Sequence, residues 1–213
     1  MKPTTLLLAA MLIAGCQNFG GRSRASLDDG LLQFAEADAR DEITAARMAL
    51  IEAGDATAGA MHQSKHAGAD RKVLDAELRA AKERISREQD RIKTLAEVEM
   101  QASRTQEMDE ALAAAERDLE ICKQKILLHD ARAEELKAQL NLAKAEESHA
   151  AAVVDLLKAR ALKDLGREET ASIDVLKFER AERDCETEIE IAKTVLRSAQ
   201  REVGILEERA FLE

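Results

Sequence analysis

Three cysteines and four histidines are the side chains of this sequence best able to do chemistry, and their neighbours decide what kind. Cys16 closes the stretch LLLAAMLIAGC. Lys2 is the one charge ahead of it, and the apolar run Leu6 to Ala14 is far shorter than the roughly 20 residues that span a bilayer. That pattern reads as a secretory signal, residues 1–15, to be left out of fold reasoning. His62 and His66 form an H-x-x-x-H pair, the spacing that sets two imidazoles on one side of a helix, with Asp70 nearby. No third clustered His or Cys completes a ligand set, and the stretch is glycine-rich, so a solvated loop is the expectation. Cys122 and Cys185 fall at apolar repeat positions and read as small buried hydrophobes, with an intermolecular bridge as the alternative. His129 occupies such a position and His149 flanks one, and both read as packing or polar-layer residues. No Ser-His-Asp order and no glycine-rich phosphate loop is present. The many Asp and Glu alternate with Lys and Arg at helical surface spacing, as solvated i,i+4 pairs do. The expectation is a protein without catalytic, cofactor or metal residues, and no enzyme.

Leu12-Ile13-Ala14-Gly15-Cys16 resembles the lipobox of bacterial lipoprotein precursors. The resemblance implies cleavage between Gly15 and Cys16 and a diacylglyceryl group on the Cys16 sulfur. Several acyl chains, each buried CH₂ contributing about 0.8 kcal/mol, hold a protein to a membrane where a single chain would not. The mature chain would thus be anchored to the membrane by its N-terminal lipid and exposed to the periplasm. In Gram-negative lipoproteins an Asp after the cysteine commonly means inner-membrane retention. Gln17 stands here, so the family rule implies the periplasmic face of the outer membrane. Residues 16–25 read as a lipidated flexible tether. Loss of Lys2 with the signal takes 32 basic residues to 31 against 42 acidic ones, a formal charge of −11. Such a surface repels phosphate, which argues against nucleic acid as a partner. Nothing in the sequence points to a small-molecule substrate.

The elements that must position these residues are helices. The chain is 35% charged, rich in Ala, Leu, Glu, Lys and Arg, and has no Trp or Tyr and four Phe, a composition of long helices and coiled coils. Its one proline, Pro3, lies in the signal. The fold expected is all-α: a long antiparallel coiled-coil helical hairpin with a short N-terminal helix. That helix, residues 26–53, carries the stripe Leu27, Leu31, Ala35, Ala39, Ile43, Ala46, Leu50, Ala53. Gly54, Gly59 and Gly68 then mark residues 54–69 as a connection. The hairpin occupies 70–213. Its first helix, about 70–165, shows Leu74, Leu78, Ala81, Ile85, Glu88, Ile92 and Leu95, slips register by one at Val98, and continues through Leu112, Leu119, Ile126 and Leu140 with Met108, Ala115, Cys122 and Leu136. Unbroken, it would be on the order of 140 Å long. Gly166 is the expected helix end. A second helix, about 172–212, repeats Val175, Phe178, Glu182, Cys185, Ile189, Ala192, Leu196, Ala199, Val203 and Leu206. A short turn makes the two antiparallel. Folding about Glu169 sets Leu206 near Arg132 and Cys185 near Val153, with Cys122 far along the axis.

On this plan the short first helix covers residues 72 to about 97 and the last helix about 127 to 165. The stripe Val98, Met108, Leu112, Leu119 and Ile126 is left as an interaction surface, for a second copy of the chain or another helical envelope protein. Each Leu left in water forgoes roughly 1.5–3 kcal/mol. The competing arrangement is a break near Ser103, whose spacing to Gln106 fits a capping box, closing a monomeric bundle.

The stretch LLKARALKDLGREETASIDVLKFERAERD is similar to the α-helical hairpin tip of periplasmic adaptor proteins. There an Arg, a Leu and a Ser dock onto an outer-membrane channel. Leu165 and Ser172 match the Leu-to-Ser spacing, Gly166 lies between them, and Arg160 is one residue out of place. SIDVLKFERA also resembles a helix of the outer-membrane efflux channels. The β-rich domains that define adaptors are missing. In plan the whole is similar to helical outer-membrane lipoproteins of the murein-lipoprotein kind, without the C-terminal lysine that joins the wall, since the sequence ends Ala210-Phe211-Leu212-Glu213. These resemblances imply a structural or scaffolding lipoprotein, with a component of an efflux or transport assembly as first alternative and a non-catalytic activator of an envelope enzyme as second.

Overall fold

The computed structural model describes residues 27–96 and 102–212. Among them are three long helices, α1 (Ala37–Ala96, 60 residues), α2 (Ala102–Asp164, 63 residues) and α3 (Val175–Leu212, 38 residues). Two short 3-10 turns, Asp29–Phe34 and Glu168–Thr170, precede α1 and α3. No strand occurs among the described residues, and α1 packs against α2, so the molecule is an all-α helical hairpin. It contains a second hairpin as well, because α3 returns along the other flank of α2.

The expected connection at 54–69 is helix throughout. Its reason lies in the register. From Ala39 and Ile43 the steps of three and four run unbroken through Ala53, Thr57, Ala60, Ser64, Ala67 and Arg71 to Leu74 and on to Ile92, and each of these positions is at least partly buried. Each glycine costs about 1 kcal/mol relative to alanine in a helix, but the seam continues beneath with small residues, Thr57 and Ala67 among the buried ones. Thr57 satisfies its own hydroxyl by donating to the Ala53 carbonyl at 3.0 Å.

The expected single helix over about 70–165 is two helices. α1 ends at Ala96, α2 begins at Ala102, and the two run antiparallel. Arg71 donates to Asp130 at 2.6 Å, Arg84 meets Asp118 at 3.7 Å, and a side chain at Gly54 would approach Glu147. The register slip read at Val98 falls between these two helices in the sequence, and Val98 itself lies outside the described residues. The side chain of Gln106 donates to Glu110, one turn on in α2.

Two stripes organise α2. One runs Met108, Leu112, Ala115, Leu119, Cys122, Ile126 and onward by threes and fours to Ala161, and faces α1. The other starts only at Gln124 and runs Leu128, Ala131, Glu135, Ala138, Leu142, Ala145, His149, Ala152, Leu156, Ala159. Two residues of offset at roughly 100° each place it on nearly the opposite face, where α3 lies. Arg132 donates to Glu207 at 2.8 Å and Arg160 to Glu179 at 2.9 Å, which sets α3 within a residue of the register that the Glu169 fold implies. α3 therefore covers only the later part of α2. Beyond its end α1 and α2 continue as a two-helix arm.

Candidate functional sites at the base and along the arm

At the base, the end holding the first described residues and the turn between α2 and α3, Gly166 adopts φ 62°, the left-handed conformation that ends a helix, and donates to the Lys163 carbonyl at 3.1 Å. Thr170, 1% exposed, donates to the Arg167 carbonyl at 2.9 Å and locks the turn. The turn Asp29–Phe34 folds over it. Asp28 accepts from the Gly30 N–H at 2.8 Å, and Leu32 and Ala35 pack with Ile43 of α1 and Ala161 and Leu162 of α2. Lys158 holds Asp29 at 2.8 Å and Arg47 holds it at 2.9 Å. The Lys158 hydrogen bond, with the Arg47 charge added, keeps the Asp29 carboxyl below the usual aspartate range. The Arg167 guanidinium sits 4.0 Å above the Phe34 ring. An open cavity of about 410 Å³ lies between this turn and α3, with Leu31, Phe178, Lys177 and Ser172 in its wall.

The tip residues are therefore not at a free end. Leu165 packs against the Leu32 cluster, Ser172 is exposed on the cavity wall, and Arg160 is engaged by Glu179. In the arm, Met108, Leu112 and Leu119 are half-buried and Ile126 is buried, on the face of α2 turned to α1. The stripe expected to lack a partner has one inside the chain. The expectation failed because the first helical segment is not short: it is continuous with residues 70–96 and long enough to line all of α2. Cys16 lies outside the described residues.

His62 and His66 are on a helix rather than a loop, exposed, with their Nε2 atoms 3.2 Å apart and ring centroids 4.4 Å apart. Cys122 and Cys185, both half-buried, belong to different seams, Cys122 on the α1 side of α2 and Cys185 on α3. Register separates them by about 47 Å along the axis at 1.5 Å per residue. One constellation was missed from sequence. α2 brings His149 against Glu182 and Glu186 of α3, the one group of three or more such side chains among the described residues whose ligand atoms converge, all within 4.8 Å of one another. The sequence signal was partial: Glu182 and Glu186 share a helix face, but the Glu169 fold sets them opposite Leu156 and Ala152, one to two turns along α2 from His149.

No protein-family model, curated protein or solved structure matches this chain.

Proposed function

We propose that the chain is a lipid-anchored periplasmic lipoprotein that serves a structural or protein-interaction role in the bacterial envelope, tethered to the outer membrane through Cys16. The observation that carries this reading is the order Lys2, short apolar run, Ala14-Gly15-Cys16, followed by Gln17. The layout of the helices supports it. Leu27, eleven residues beyond Cys16, belongs to the base, so the lipid and the two-helix arm would lie at opposite ends of a rod. α1 alone is about 90 Å long at 1.5 Å per residue, and the arm's outer faces carry mostly charged side chains. A rod anchored at one end spaces or recruits, and little in its plan encloses a substrate. Of the alternatives, docking of Leu165 on a channel would first require uncovering it from the Leu32 cluster, which favours the scaffolding role over the transport one.

Cys16→Ala tests the anchor. The variant is expected to accumulate as unprocessed or soluble precursor, and fractionation with membranes as complete as that of the wild type would refute the reading. Crosslinking from intact cells through residues of the arm then names the partner: porin-like or wall components for a scaffold, a channel or pump for transport, a peptidoglycan synthase for an activator.

A further inference from the structure

We propose that His149, Glu182 and Glu186 form an interhelical site for a first-row divalent cation of the Zn²⁺ class, clipping α3 to α2. The proposal is independent of the anchor. His149 stands on the α2 stripe that faces α3, and Glu182 and Glu186, one turn apart, present their carboxylates to it from the other side of the seam. The His149 Nε2 atom is shielded from solvent and has no hydrogen-bond partner. Its nearest acidic neighbour is Glu182 Oε1 at 3.7 Å, beyond hydrogen-bonding distance. Leaving such a nitrogen desolvated and unpaired is unfavourable. A bound cation removes that cost by accepting the nitrogen lone pair.

The spacing fits. Two ligands on one Zn²⁺, each about 2.0–2.2 Å from it, lie at most about 4.2–4.4 Å apart and closer in a tetrahedron. The 3.7 Å between His149 and Glu182 is already inside that limit, and the 4.8 Å bound on the set closes by rotation of Glu186, whose side chain is exposed. The donor set decides the ion. Imidazole nitrogen suits Zn²⁺, Cu²⁺ or Ni²⁺ and is a poor ligand for Mg²⁺ or Ca²⁺, while two carboxylates balance a dication's charge. Residues facing the site from α2 are small, Ala145 and Ala152, so no lysine or arginine of that stripe competes for the carboxylates.

The test uses the full chain in detergent, stripped with chelator, in a His62→Gln/His66→Gln background, because that exposed pair can itself take up metal. Titration with Zn²⁺ is expected to show one ion bound per chain and a rise in melting temperature that grows with Zn²⁺ concentration, since the ligands come from two helices. Glu186→Gln, at an exposed position that leaves folding intact, should weaken uptake at least about tenfold, and His149→Gln should abolish it with helix content unchanged. Co²⁺ in place of Zn²⁺ should give d–d absorption without a sulfur-to-metal charge-transfer band. Absence of uptake in the background protein, uptake unchanged by both substitutions, or a charge-transfer band showing a cysteine ligand would each overturn the assignment.

Discussion

Single residues in this chain do work that their type alone does not announce, and the glycines show it best. Gly166 holds φ 62°, where a Cβ clashes with the backbone at a cost of roughly 1–2 kcal/mol. Gly59 and Gly68 are inside α1, with open space where a Cβ would stand. Gly166→Ala should therefore lower the melting temperature by about 2–4 °C for each kcal/mol lost. Gly59→Ala and Gly68→Ala should raise it, each contributing about 0.5–1 kcal/mol. A thermal melt of the three variants checks both signs, and a fall for Gly59→Ala would mean that the chain is not helical there. Asp29 adds a pH dependence. Its carboxyl titrates below the usual range because Lys158 and Arg47 favour the charged form. The stabilisation is thus present above the ordinary aspartate pKa near about 4 and is lost as pH falls through the lowered folded value. Asp29 itself is 58% exposed and screened by solvent, so the effect stays below about 1 kcal/mol. Asp29→Asn should flatten the acid limb of a pH-melting curve at low salt.

At the level of whole elements, the sequence carried the helical class, the α3 repeat and its register on α2, because apolar residues there recur every three or four positions without interruption. It also held the continuity of α1, in a form harder to read. Thr57, Ala60, Ser64 and Ala67 keep the phase set by Ile43 and Leu50, but they are small or polar, and three glycines beside them look like punctuation. What could not be read was which helix covers which. The stripe from Met108 to Ile126 needs a partner in any arrangement, and a heptad does not say whether that partner is another chain or an earlier segment of the same one. The second stripe of α2 begins at Gln124 because α3 reaches no further, so burial is double-sided near the base and single-sided in the arm. Hydrogen exchange should follow this division, with amides of 75–94 and 106–123 exchanging faster than those of 127–162. Protection in the isolated protein that is uniform along α2 would mean that something else covers the arm, a second copy first among the candidates.

The largest-scale consequence concerns the direction of the chain. A continuous helix through residues 84 and 118 would hold those positions about 50 Å apart at 1.5 Å per residue. In the hairpin Arg84 and Asp118 are ion-paired at 3.7 Å. Placing cysteines at both, in a background of Cys122→Ser and Cys185→Ser, turns that difference into a band on a gel. A short bis-maleimide should join the two within one chain, leaving the mass of a monomer and an altered mobility. A product of twice the mass would instead mean that antiparallel partners come from separate chains, and absence of any product would rule out the α1–α2 pairing altogether. The same samples carry a shape test, because a monomeric rod built around a 60-residue helix must show a largest dimension near about 90–100 Å in small-angle scattering. Leu112→Glu with Leu119→Glu should then lower the melting temperature of the monomer itself, since the charges enter the seam with α1 rather than a contact between molecules. If the double substitution leaves the monomer's melting unchanged and only shifts sedimentation, the stripe faces another molecule and the arm is an assembly surface.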